Sequence, residues 1–138
     1  MLDLMKEGVA ILELIPEEER NDNLCYLLNL GRYICCYVQT GINEKEWFRI
    51  RTKLLSSEDR DEIFSLIPKA EKLLFKEKEN ALEAINYVRL DSRLGWEPSM
   101  DYLGDENAIN WKIKFLDYVI YTELKHFRLA SDENWFIK

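Results

Sequence analysis

The chain has 138 residues, 47% hydrophobic and 33% charged, a composition that folds instead of staying disordered. Its formal net charge is −7 and its basic residues are interleaved with acids, so neither nucleic acid nor an anionic membrane is an expected partner. Five Gly and three Pro are too few for the frequent turns of an all-β fold, and no apolar run is long enough to span a bilayer. The reading is all-α: a single domain over residues 1–138, an irregular bundle of five to six helices with one long ordered loop at about 91–105.

The first predicted helix runs from Leu2 to Ile15 and stops at Pro16, because the residue before a proline is pushed out of the α region. Its apolar residues form two stripes, Leu2, Met5, Val9 and Leu12, then Leu4, Ile11 and Ile15. An edge helix of a small domain needs one stripe. The second predicts cover from outside the chain. Residues 1–7 lack the basic region of a secretion signal, and Cys25, Cys35 and Cys36 share one helical pattern. Buried, reduced thiols in a cytoplasmic protein are therefore expected.

The second predicted helix takes a cap from 21–23 and runs to Gln39 or Thr40, where Gly41 supplies a stop. Gly31 lies mid-helix, which predicts the close approach of a neighbour. Asn43 then caps a third helix, with Glu46 completing a capping box and Ile42 stapling onto Trp47, and this helix ends near Leu55. A fourth begins at 56–59 and reaches Leu94 and Gly95, with Pro68 kinking or splitting it. The Lys/Glu run from Lys69 to Glu83 reads as a solvated face. Asp105 caps the last helix, Glu106 to Phe127. Ile109, Ile113, Leu116, Ile120, Leu124 and Phe127 share one of its faces, and Trp111, Phe115 and Tyr118 point to the opposite side.

Metal binding is not expected, since Cys25, Cys35, Cys36 and His126 lack any zinc-ligand spacing. His126 sits in the last helical turn with no nucleophile elbow anywhere, which suits a helix-terminal cation. No phosphate-cradling glycine loop, calcium-loop spacing or dinucleotide fingerprint occurs, so no cofactor is expected. Acids and aromatics concentrate instead in the loop. Its candidate ligand contacts are Asp91, Arg93, Trp96, Glu97, Asp101 and Tyr102. Two carboxylates are what glycoside hydrolysis requires, and a tryptophan offers a flat face to a sugar ring. The same residues also suit a packed loop in which Asp91 pairs with Arg93 while Trp96 and Tyr102 act as anchors. No residue is assigned as catalytic.

The run from Asp91 through Leu94, Gly95, Trp96, Glu97 and Pro98 to Tyr102, followed by Trp111 and Lys112, resembles a segment near the C-terminus of large bacterial proteins, some described as glycoside hydrolases. Asn80 and Ala81 are similar too. The resemblance covers the last third to half of the chain and implies a C-terminal helical module detached from its catalytic domain. Sugar hydrolysis usually sits in a barrel of about 250 residues, and no such bulk is present. The leading expectation is therefore a non-catalytic all-α module, an accessory piece of a carbohydrate-processing protein. It would pack against a larger domain or against itself as a homo-oligomer, through Leu4, Ile11 and Ile15 with Trp111, Phe115 and Tyr118. Two alternatives stand beside it. One is a domain, or minimal hydrolase, that binds a small molecule or carbohydrate in the 91–105 loop; the other is an adaptor gripping a partner helix.

Overall fold

The computed structural model describes residues 1–91, 93–94, 96–97 and 102–134, with the pairs 96–97, 102–103 and 133–134 described by backbone alone. Among the described residues the protein is all-α, and its helices are fewer and longer than the five to six predicted. α1 (Leu2–Glu13) is followed by a single 3₁₀ turn (Glu17–Glu19). α2 (Asp22–Ser56) begins where expected, with the Asn21 side chain accepting from the Leu24 N–H at 2.9 Å. It then runs on for 35 residues. The predicted stop at Gly41 and the capping box at Asn43 are both overturned.

The reason lies in the spacing of the seam. Cys36, Thr40, Asn43, Trp47, Ile50 and Leu54 alternate steps of four and three, which keeps one stripe facing one neighbour across the supposed break. α3 (Arg60–Leu90) carries the matching seam: Ile63, Ile67, Ala70, Leu74, Glu77, Ala81, Ala84 and Val88 are all buried and alternate in the same way. Asp59 caps it, accepting from the Asp61 and Glu62 N–H groups. Pro68 does not split α3. It lies on the solvent side, where water can take the Phe64 carbonyl that loses its helical donor.

α4 (Glu106–Tyr118) is capped by Asp105, which accepts from the Ala108 N–H at 2.8 Å. It continues through a π-helical turn (Val119–Glu123) into α5 (Leu124–Asn134), so the three make one rod. Buried Leu116, Ile120 and Leu124 follow one another at steps of four, where a regular helix would need a three. The wide turn absorbs the extra residue and returns Leu124 to the core face. Among the described residues the chain thus forms four helical rods.

α2 and α3 run antiparallel, as Asn29 bonding Tyr87 and Thr40 bonding Glu77 require. α3 and the last rod are antiparallel too, tied by Arg89–Glu106, Lys78–Asp117 and Arg60–Asp132. Each of these surface pairs adds little energy, but together they fix the alignment. One core cluster joins Ile50 and Leu54 of α2, Ile63 to Leu74 of α3, and Leu116, Val119, Ile120 and Leu124 of the last rod. α1 packs on the first half of α2: a Cβ at Gly31 would sit 3.0 Å from Val9, so the expected close neighbour is α1. In the long connection the backbone of 96–97 pairs antiparallel with 102–103. Of the three cysteines, Cys35 and Cys36 are buried but Cys25 is exposed, against expectation.

Candidate functional site

Three places on this frame gather chemistry. The first is inside the bundle, halfway along the seam. Glu77 is 5% exposed and Asn43 2%. The Glu77 carboxylate accepts from Thr40 Oγ1 at 2.7 Å, from Asn43 Nδ2 at 2.5 Å and from Lys112 Nζ at 2.5 Å. Asn80 Nδ2 donates to Thr40 Oγ1 and to the Cys36 carbonyl, and Gln39 donates to Asn43 Oδ1. The network ties α2, α3 and α4 at one level. Among the described residues no buried side-chain nitrogen or oxygen lacks a partner. Each buried polar atom there has an internal partner, so the network works as a register lock for the three helices. Sequence reading missed it, because Glu77 lies in the Lys69–Glu83 run taken for a solvated face. The signal was available: Glu77 falls on the alternating seam of α3.

The second place is the cleft where the start of α2 meets the end of α3. It has a volume of about 400 Å³ and is lined by Cys25, Tyr26, Asn29, Leu90, Asp91 and Arg93. Two of the predicted loop contacts therefore do meet there. They are, however, committed to each other. Arg93 Nε and Nη2 donate to the two Asp91 oxygens at 2.9 and 3.0 Å, the Arg93 N–H adds a third bond, and the guanidinium lies 4.7 Å over the Tyr26 ring. The Arg93 side-chain bonds hold the Asp91 carboxyl below its usual range. An acid kept ionised in this way is a poor proton donor. Trp96, Glu97 and Tyr102 are placed by backbone alone, and Asp101 lies outside the described residues.

The third place is the outer face of the last rod. Trp111 and Phe115 stack with ring centroids 5.6 Å apart, and Trp111 remains 68% exposed. Tyr118 continues the stripe, and Tyr121 meets Phe75 of α3 edge to face at 6.2 Å. Of the N-terminal residues predicted for an interface, Leu4 (72%) and Ile11 (65%) of α1 are exposed, while Ile15, beyond the end of α1 at Glu13, is half-buried. Leu14, not anticipated, is exposed as well.

Buried thiols complete the inventory. Burial pushes Cys36 up to about 12, with Glu83 adding to the shift, and raises Cys35 in the same direction. Both are thus protonated and unreactive near neutrality. Among the described residues no group of three or more His, Cys, Asp or Glu side chains could hold a metal ion, and no helix is long and apolar enough to cross a membrane. Comparison with family models, curated proteins and solved structures returns no match to this chain.

Proposed function

We propose that this chain is a non-catalytic helical interaction module whose docking surface is the aromatic face of α4. The observation that carries the reading is the Trp111–Phe115 stack, left in solvent beside Tyr118 on a helix whose other side already fills the core. Exposed aromatics on a rigid helix are the residues that dominate protein interfaces, because they bury much area at small entropic cost. The internal polar groups support it from the other direction, since Glu77, Lys112 and Asp91 are each held by a structural partner. The resemblance of residues 91–112 extends the reading to an accessory piece of a carbohydrate-processing protein.

The test is affinity capture from a native lysate with the wild-type chain and Trp111→Glu at matched melting temperature. A partner held by the first and lost by the second is the expected result. Proteins other than this chain itself that both baits capture equally would remove the α4 face as their docking surface.

A second reading follows from the cleft beside Asp91 and Arg93: a binding domain for a small polar molecule or carbohydrate. The cation covers one face of Tyr26, so a sugar would have to approach the other face or displace Arg93. Calorimetric titration with an oligosaccharide panel decides it. Absence of heat from every member retires the idea.

A further inference from the structure

The partner of the α4 face is written into the chain itself. We infer that a second copy docks head to tail, the outer stripe of α1 in one molecule lying on the α4 aromatic face of the next. This rests on the reading of that face as a docking surface, and goes beyond it by naming the occupant. Charge selects it. The charges of Glu106, Asp117 and Lys112 are each committed to a partner, which leaves Lys114, Lys125 and Arg128 against Glu123 among the described residues of 106–128. Two such faces of the last rod brought together would therefore set Lys114 of α4 and Lys125 and Arg128 of α5 against like cations.

α1 has the opposite character. Within α1, Asp3 and Glu7 stand against Lys6, with Glu13 committed to Arg32, and Asp3 and Glu7 lie on the same outer side as Leu4, Ile11 and Leu14; Glu17, Glu18 and Glu19 follow in the 3₁₀ turn. An apolar ridge edged with carboxylates thus meets an aromatic strip edged with lysines. The area suffices for a contact of moderate strength. Trp111, Phe115, Tyr118 and Tyr121 together leave the equivalent of about two full rings in water, ~400 Å². That is half of the ~800 Å² one partner buries in a standard interface, before the lysine stems and α1 flanks are counted. α1 packs on α2, whereas α4 packs on α3, so the two patches lie on different elements and the contact is heterologous. Association does not have to close at two.

Light scattering at concentrations up to ~1 mM tests this with three proteins. The wild type should grow in mass with concentration and shrink as salt is added. Leu4→Glu with Ile11→Glu removes the ridge; Trp111→Glu with Phe115→Glu removes the strip. Each double variant should be monomeric alone, and their equimolar mixture should form a species that stops at two chains, because one ridge and one strip survive. All these side chains are exposed, and circular dichroism confirms the fold. Should the strip variant misfold, Lys114→Glu with Lys125→Glu replaces it, with association weakened on the order of tenfold expected.

A wild type that stays monomeric at the highest concentration overturns the inference, as does a ridge variant that still self-associates, or a mixture that remains monomeric. A monomeric wild type that captures another protein through Trp111 would overturn the self-docking alone and leave the docking surface standing.

Discussion

At the scale of single residues, the informative feature is a carboxylate that has left water. Removing one member of a buried pair leaves the other unsolvated, whereas replacing both with apolar groups of similar volume removes the penalty. Glu77→Ala strands Lys112 and Asn43 and should lower unfolding free energy by about 3 kcal/mol, the low end of that range because Lys112 still reaches solvent. Glu77→Leu with Lys112→Met should recover most of that loss. Urea titration measures both, and a double variant as unstable as the single one would mean that the pair itself, not its half-removal, sets the stability. The Asp91–Arg93 pair makes a prediction in pH. Its folded carboxyl is depressed below the ordinary value, so its stabilisation is present above the unfolded range, near 3.9, and is lost as pH falls through the folded one. Arg93→Gln should therefore lower the melting temperature at neutral pH, and the gap from wild type should close as the solution is acidified into that range. A gap of constant width would assign Arg93 a packing role over Tyr26 instead.

Elements explain which parts of the fold were readable beforehand. Asn21, Asp59 and Asp105 were legible as helix starts because a cap is a local device: one side-chain oxygen and one N–H two or three residues on. Gly41 was misread because glycine ends a helix only where the chain turns left-handed, and whether it does so depends on neighbours beyond the local window. Here the alternating seam from Cys36 to Leu54 carries the helix through. A Cβ at Gly41 would meet nothing within 4 Å, so Gly41→Ala should stabilise the protein by about 0.5–1 kcal/mol, the helix-propensity difference. A loss of similar size in a thermal melt would restore the break that punctuation suggests. Gly31→Ala should gain less, since Val9 must yield at 3.0 Å. The α4 face was visible as an apolar stripe opposite the core stripe, but periodicity does not say what covers it. Glu77 was hidden for a related reason: in a run of alternating charges its place on the apolar seam shows that it faces inward, but only the partner helices reveal what satisfies it there.

For the whole molecule the question is which part holds on least. Three rods share the core cluster and the polar lock, and every one of them contributes buried side chains. α1 contributes none. A free helix of twelve residues is marginal in water, so α1 persists only through half-buried contacts such as Val9 against Gly31 and the exposed Glu13–Arg32 pair. The exposed pair is worth no more than about 1 kcal/mol. α1 should therefore open alone, well below the free energy of global unfolding and with a shallow denaturant dependence, because little surface is exposed in the event. Amide hydrogen exchange reads this directly: residues 3–13 should exchange by local opening while the seam residues of α3 exchange only by global unfolding. Thiol labelling gives an independent signal, since α1 brings Lys6 close enough to influence Cys35. Cys25 should react at once, Cys35 at the rate set by α1 opening, and Cys36, packed on the α3 side of the seam, last. Amides of α1 that exchange with the full global slope, together with Cys35 and Cys36 reacting in step, would make the molecule one cooperative unit and remove the graded order.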